Sequence, residues 1–326
     1  MKQYNNKKLF AIGIISFERG LLTERCVESI QTVSTHPYHI FLVDNGSKDR
    51  YTQNILNKFE TYNNLTLIRL EKNYGPSYAR NVILKIVQNE YLFFCMMDND
   101  IIALVGWDEA FLNAMEMGAD LIQPKLLNLD EETIERGPNK PRKENISAHP
   151  EFIGIGTLRN DPLVNHEESA HIVGTAAIIR FEVFNKIGSY DTSLHIGEDY
   201  DLSFRARKAG FKLRYVPKCE LVHDHQYDYE YDLQRQDIYK LLCSHVNMWR
   251  KHQKVLYSPY YLQWFKWMYL HGEPMYMPEK VKLSSLYRRI RRRIIRKRCM
   301  NKFPNVWPSI GAARLETEKL AQILGL

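Results

Sequence analysis

The chain has 326 residues, enough for one large α/β domain or two smaller ones, and with 44% hydrophobic and 25% charged residues its composition excludes a disordered or fibrous protein. Its formal net charge of +7 is concentrated: ten basic residues and no acid lie between Lys280 and Met300, and without them 35 basic residues face 38 acidic ones. Five scattered cysteines (Cys26, Cys95, Cys219, Cys243, Cys299) without a CxxC spacing exclude a disulfide framework and point to a reducing compartment, and no run reaches transmembrane length. The polar start, Met1 to Lys8, enters an apolar strand too short and wrongly flanked for a signal peptide, so the expected location is cytoplasmic.

Phe10 to Ile15 reads as a first strand, ending at Ser16, Phe17, Glu18 and Arg19, with Gly20 expected to supply a bend. Leu22, Cys26, Ile30 and Val33 recur at helical spacing. His39 to Val43 is a second strand that stops at Asp44, Asn45, Gly46 and Ser47, residues that favour a turn and a helix start. Ile55, Leu56 and Phe59 mark the next helix, Leu65 to Leu70 a third strand, and Asn73 to Pro76 a turn. Ser77 is expected to cap a helix carrying Ala79, Val82, Ile83, Ile86 and Val87. Tyr91 to Met97 follows, an apolar run of seven that implies a strand buried on both faces, with Asp98, Asn99 and Asp100 at its end. This alternation of strands and helices demands a doubly wound, mostly parallel sheet with right-handed crossovers.

Trp107 to Met117 reads as a helix and Asp120 to Pro124 as a strand. Residues 128 to 169 lose periodicity and become rich in charge, Gly, Pro and Asn, so they are expected to form a long loop, functional or mobile. His171 to Arg180 reads as a strand interrupted by Gly174, and a short helix follows around Val183 to Ile187. Gly197, Glu198, Asp199, Tyr200 and Asp201 open a helix that Gly210 ends. A last strand, Lys212 to Val216, stops at Pro217, with Leu221 to His225 beyond it. Tyr227 to Gln253 looks helical, Tyr257 to Met277 is crowded with aromatics, and Ala312 to Leu326 reads as a closing helix.

Ligands of open α/β sheets bind beyond the carboxyl ends of the strands, where Asp44 and Asp98 to Asp100 emerge. Asp44 could accept hydrogen bonds from a base or ribose, or serve a helix start; Phe17 could stack on a ring; Arg80 could neutralise phosphate, or be a surface cation. Carboxylates spaced i, i+2 offer the oxygen ligands of Mg²⁺ or Mn²⁺, or form an acidic turn.

Taken in order, residues 8 to 226 resemble a GT-A glycosyltransferase of the family 2 type. Ser16, Phe17, Glu18 and Arg19 stand where the family commonly has Thr, Tyr, Asn and Arg. Val43 to Asp49 matches its second-strand motif, and Asn73, Gly75, Ala79, Arg80 and Asn81 fit NxGxxxARN. Asp98, Asn99 and Asp100 are its DxD element, and Glu198, Asp199, Asp201 and Arg205 fit EDxDLxxR. The resemblance implies a catalytic domain over 1–226 with a mostly helical extension over 227–326, aromatic-rich and carrying the polybasic segment 280–300. It implies a nucleotide-sugar site built from Ser16, Phe17, Glu18, Asp44, Asn73, Arg80, Asp98 and Asn99. Asp98 would hold the ribose. Mn²⁺ or Mg²⁺ would be held by Asp98, Asp100 and His223, with His225 as a rival ligand.

Asp199 is the expected general base, because an acceptor hydroxyl is a poor nucleophile and a nearby carboxylate must take its proton. Glu198 and Asp201 crowd it, which would raise its proton affinity; the same three acids would also suit a helix N-terminus. The family inverts the anomeric centre by one displacement, with a uridine diphosphate sugar as the default donor. Ile15 and Glu18 depart from the family's usual residues beside the base pocket. The segment Gly174 to Ala176 would border the acceptor, and residues 128 to 169 would form a lid that orders on donor binding.

Leu283, Leu286, Ile290 and Ile294 fall on one helical face of the basic tail. That pattern suits an amphipathic helix on the anionic inner face of a membrane, and so a lipid-linked or other glycan acceptor. The arginines could instead meet nucleic-acid phosphates, or form a solvated helix docked by its apolar face, and a modified nucleic-acid base is the alternative acceptor. A non-catalytic binding protein that keeps the fold is the alternative from another class.

Overall fold

The computed structural model describes residues 8–88, 90–141, 150–225, 238–252 and 309–326, with a few isolated positions between them. The chain divides into two compact units, one of residues 1–140, 151–192 and 198–225 and the other of residues 141–150, 193–197 and 226–326.

In the first unit, β1 (Lys8–Ser16), α1 (Gly20–Val33), β2 (Tyr38–Asp44), α2 (Arg50–Phe59), β3 (Leu65–Arg69), α3 (Pro76–Val87) and β4 (Tyr91–Asp98) alternate as the hydrophobic pattern requires. They are followed by β5 (Ile101–Ala103), α4 (Trp107–Glu116) and β6 (Leu121–Leu127). Short strands β7 (Ile134–Arg136), β8 (Asn139–Lys140), β9 (Glu151–Phe152) and β10 (Glu168–Ser169) come next. Then follow β11 (Ala176–Arg180), α5 (Phe181–Ile187), α6 (Glu198–Lys208) and β12 (Leu213–His223).

The main sheet runs β10-β12-β6-β11-β4-β1-β2-β3, with β5 on β12 and β7 on β6. The pairs β3-β2, β2-β1, β1-β4 and β6-β12 are parallel, while β11 is antiparallel to both β4 and β6. The fold is therefore the expected GT-A type α/β sheet, made mixed by the reversed strand β11 within it and by the short antiparallel strands β5, β7 and β10. β1 shows why both faces are covered. Phe10, Ile12 and Ile14 point into a core with Ile30, Phe59, Trp107 and Phe111, and Ala11 points into another with Ala79, Ile83, Phe94 and Met96.

Several local expectations are corrected. Gly20 begins α1 instead of bending the chain; a Cβ there would lie 2.7 Å from Thr52 Cα, so the missing side chain lets α1 and α2 approach. The turn before it is made by Glu18 (φ 53) and Arg19 (φ 58), both left-handed. Ser77 lies inside α3, whose cap position is Gly75. The strand expected over 171–180 begins only at Ala176. The two pieces expected around Pro217 are one strand: Val216 pairs with Pro124 and Glu220 with Lys125, so residues 217–219 bulge out. A bulge tolerates a proline because no ladder N–H is needed there. Nor is 128–169 a structureless loop, since β7 pairs with β6, β8 with β9 and β10 with β12.

In the second unit, α7 (Ile238–Lys251) buries Leu241, Leu242, Val246 and Trp249, and α8 (Ile310–Leu324) is capped by Ser309, whose side chain accepts from the Ala312 amide. The Arg250 guanidinium grips both oxygens of Glu318, at 3.0 and 2.7 Å, and ties the two helices together. No helix among the described residues is long and apolar enough to cross a membrane. The aromatic stretch 257–277 and the basic segment 280–300, with Leu283 and Leu286, lie outside the described residues apart from isolated positions.

Candidate active site

Three parallel strands deliver side chains to one sheet edge. Ser16 pairs in register with Asp44, and Ile15 with Asp98. Beyond Asp98 the chain turns and re-enters the sheet as β5, where Ile101 pairs with His223 of β12. The Asp224 amide donates to the Asp100 carbonyl at 2.7 Å, which locks the turn against the end of β12. This pairing brings Asp100 and His223 together across 123 positions of sequence.

Asp100 Oδ1 lies 3.4 Å from His223 Nε2, and Asp100 Oδ2 lies 3.4 Å from a guanidinium nitrogen of Arg19. One ligand atom each from Asp100, His223 and His225 can gather within 4.8 Å of the others. Asp100 Oδ1 is buried and has no hydrogen-bond partner, since the imidazole beside it stands at contact distance without alignment. An orphaned carboxylate oxygen facing two imidazoles fits a divalent cation. Of the expected ligands, Asp100 and His223 are in this cluster. His225 joins them, and Asp98 does not.

Charge in the cluster is finely opposed. Burial works against the ionised form of Asp100, but His223, Arg19 and His225 outweigh it and hold its carboxyl below the usual range. Burial likewise lowers the pKa of His223. The carboxylates of Asp100 and Glu135 more than compensate and raise it to about 9. A bound cation would replace a proton on that ring.

Asp98 and Glu198 are joined through Arg80. This buried guanidinium contacts Glu198 Oε1 and, at 3.2 Å, Asp98 Oδ1, and it lies over the Tyr190 ring. Its burial disfavours the charge, but Glu198 and Asp98 raise its pKa overall. Arg80 is thus not a surface cation: it is buried and contacts two carboxylates. The effect is to hold the end of β4 against the first turn of α6.

Asp199 occupies that turn. Gly174 lies so close that a Cβ there would be 2.1 Å from Asp199 Oδ2, so the carboxylate fills the volume a larger residue would take. Part of Asp199 remains accessible while protein packs densely around it. Burial and then the neighbouring Glu198 charge push its pKa up to about 7, against the opposing pull of Arg80, the Tyr200 amide and Arg136. A carboxylate half-protonated near neutrality is matched to the work of a base.

The remaining expected residues divide. Asp44 is buried and accepts from the Ser47 amide and Gln53 Nε2, leaving lone pairs for another donor. Asp49, instead, caps α2. Asn73 accepts from Asn45 and the Gly75 amide, shaping the turn before α3. Phe17 is half-buried beside the left-handed turn. Three residues are bonded to the protein itself. Ser16 is fully buried and bonded to Thr23, Asn99 donates to the same Thr23 hydroxyl, and Glu18 accepts from the Lys48 and Asp49 amides. These bonds fix the side chains of Ser16, Glu18 and Asn99 at the edge.

Sequence reasoning missed Arg19 as a partner of Asp100, Tyr190 beneath Arg80, and the pair Glu135–Arg136. Glu135 Oε2 lies 3.5 Å from His223 Nδ1, and Arg136 contacts both Glu135 and the Thr175 hydroxyl. No spacing could have found Glu135 and Arg136, because β7 lies in the aperiodic stretch and is placed by its pairing with β6.

The chain is thus a GT-A type α/β fold with an acidic, histidine-bearing edge, and family models match it. The family model described as "Glycosyl transferase family 2" matches residues 11–188, and "Glycosyl transferase family group 2" matches 155–304. The chain belongs to glycosyl transferase family 2. It is 29% identical over 153 residues, 47% of its length, to the pre-mycofactocin glycosyltransferase of Mycobacterium tuberculosis, and spans 30% of that protein. It is 26% identical over 205 residues to an uncharacterized glycosyltransferase of Haemophilus influenzae, covering 59% of this chain and 60% of that one. The crystal structure of GalNAc-T7 with UDP, GalNAc and Mn²⁺ shares the fold, with a TM-score of 0.55 at 17% identity over 69% of this chain and 45% of the other.

Proposed function

We propose that the protein transfers a sugar from a nucleotide-diphosphate donor, a UDP-sugar by default, to an acceptor hydroxyl with inversion. The observation that carries this reading is the pairing of two opposite environments at one sheet edge: a cation-ready Asp100–His223–His225 cluster and a carboxyl, Asp199, poised near neutrality.

Asp44 offers acceptor lone pairs to the base or ribose, and Asp98 to the ribose. Asp100, His223 and His225 would hold the cation, which when bound supplies Lewis-acid stabilisation of charge on the departing diphosphate. Asp199 accepts the proton of the incoming hydroxyl while the new bond forms, and Arg80 fixes Glu198 so that its charge keeps Asp199 basic. One displacement needs one base and no covalent intermediate. The acceptor on this reading is a glycan or lipid-linked saccharide. Residues 128–169 would act as a lid, and segment 280–300 would bring 1–226 to an anionic membrane surface.

A panel of nucleotide sugars screened by thermal shift and donor hydrolysis, with and without Mn²⁺, tests the proposal. A metal-dependent response to one nucleotide supports it. Absence of any response across the panel would favour a non-catalytic binding protein.

A further inference from the structure

The metal cluster has a neighbour that neither the family motifs nor the spacing of acids identifies. His223 presents its two nitrogens to two carboxylates: Nε2 is 3.4 Å from Asp100 Oδ1, and Nδ1 is 3.5 Å from Glu135 Oε2. Both His223 Nδ1 and Glu135 Oε2 are buried and lack an aligned hydrogen-bond partner, as does Asp100 Oδ1. The contacts run in sequence from carboxylate through imidazole to carboxylate.

A cation shared with Asp100 Oδ1 requires the lone pair of Nε2, so the ring's remaining proton must sit on Nδ1. An ionised carboxylate only accepts, and Glu135 is placed to receive that Nδ1–H. Its other oxygen is held by Arg136 Nε at 3.0 Å, which keeps it from swinging away. Arg136 is in turn bonded to the Thr175 hydroxyl, and the Thr175 carbonyl accepts from the Asp98 amide. The whole arrangement is thereby tied to the strand that carries the acidic motif.

We propose that Glu135 is a positioning residue for the metal site, fixing the tautomer and ring orientation of His223 so that Nε2 faces the cation. This inference rests on the reading of Asp100, His223 and His225 as a cation site. It predicts a large dependence on an acceptor at position 135 and a smaller one on its charge. Loss of such an outer partner typically weakens metal binding by about 10–100-fold.

The test is Mn²⁺ titration of the full chain by electron paramagnetic resonance, for the wild type, Glu135→Ala, Glu135→Gln and Asp100→Ala, with thermal unfolding of each. Glu135→Ala should bind Mn²⁺ about 10–100-fold more weakly. In Glu135→Gln the amide oxygen still accepts Nδ1–H, so most of the affinity should return. Mn²⁺-activated turnover should show the same order in the Mn²⁺ concentration required, with kcat restored at saturating Mn²⁺. Wild-type affinity in Glu135→Ala overturns the inference, and so does a glutamine variant as weak as alanine. A wild-type chain that binds no Mn²⁺, or an Asp100→Ala variant that binds it as well as wild type, would instead remove the cation site itself and this inference with it.

Discussion

Gly174→Ala is the sharpest perturbation of the proposed base. The new Cβ would start 2.1 Å from Asp199 Oδ2 and 3.1 Å from its Cγ, whereas ordinary contact begins at 3.4 Å. Something must retreat by about 1.3 Å, and the backbone is poorly free to do so. The Gly174 amide donates to Gln123 Oε1 at 3.0 Å, the Val173 amide to Ser203 Oγ at 3.0 Å, and the Thr175 carbonyl accepts from Asp98. The short side chain of Asp199 is therefore what moves. A displacement of about 1 Å in a catalytic group costs on the order of 100-fold, equivalent to about 2.7 kcal/mol of barrier. Steady-state kinetics with the donor found by the panel should show kcat reduced about 100-fold with donor KM nearly unchanged. Wild-type kcat in a folded Gly174→Ala protein would refute the placement of Asp199 as the base.

The groups facing Asp199 are Glu198, Arg80, Arg136 and Tyr200, and their balance leaves its pKa at about 7. Since the base must be unprotonated, kcat/KM should rise with unit slope below that pH and level above it. Asp199→Asn should retain donor binding but lose turnover; a variant with wild-type turnover would contradict the assignment. An acid whose folded pKa exceeds its unfolded one binds its proton more tightly when folded, so stability is lost as pH rises from about 4 to about 7. Asp199→Asn should accordingly resist urea better than the wild type at pH 8. Asp100→Ala should abolish the Mn²⁺-dependent thermal shift with donor, and an undiminished shift would exclude Asp100 as a ligand. Arg80→Met strands Glu198 and Asp98; because the Asp98 side chain is partly exposed, a loss of about 3 kcal/mol is expected, at the low end for a broken buried pair, and unchanged urea stability would show that the bridge is dispensable. Co-sedimentation with anionic but not neutral vesicles, lost on replacing the arginines of 288–298 by glutamine, checks the membrane role of the tail.

The legible and illegible parts of this protein separate by range of interaction. β1 to β4 and α1 to α3 could be read because apolar residues repeat at 2 or 3.6 positions and their partners follow in order. Asp44, Asp98 and Asp100 could be placed because parallel strands put their carboxyl ends on one edge. The left-handed turn at Glu18 and Arg19 was missed because these residue types do not announce it. The pairing of Arg80 with Glu198 could not be read because the two lie 118 positions apart.

Amino-acid order alone thus determined the alternating α/β framework, the family, and which acids emerge at its edge, since each depends on local periodicity and short motifs. Only the tertiary structure decided that β11 runs backward through the sheet, that β5 returns to β12, and that His223 consequently stands between Asp100 and Glu135. The elevated pKa of Asp199 belongs to the same level, for burial and the charge of its neighbours are properties of packing. Strand pairing across more than a hundred residues is selected by the joint burial of many side chains, and no single segment carries that information.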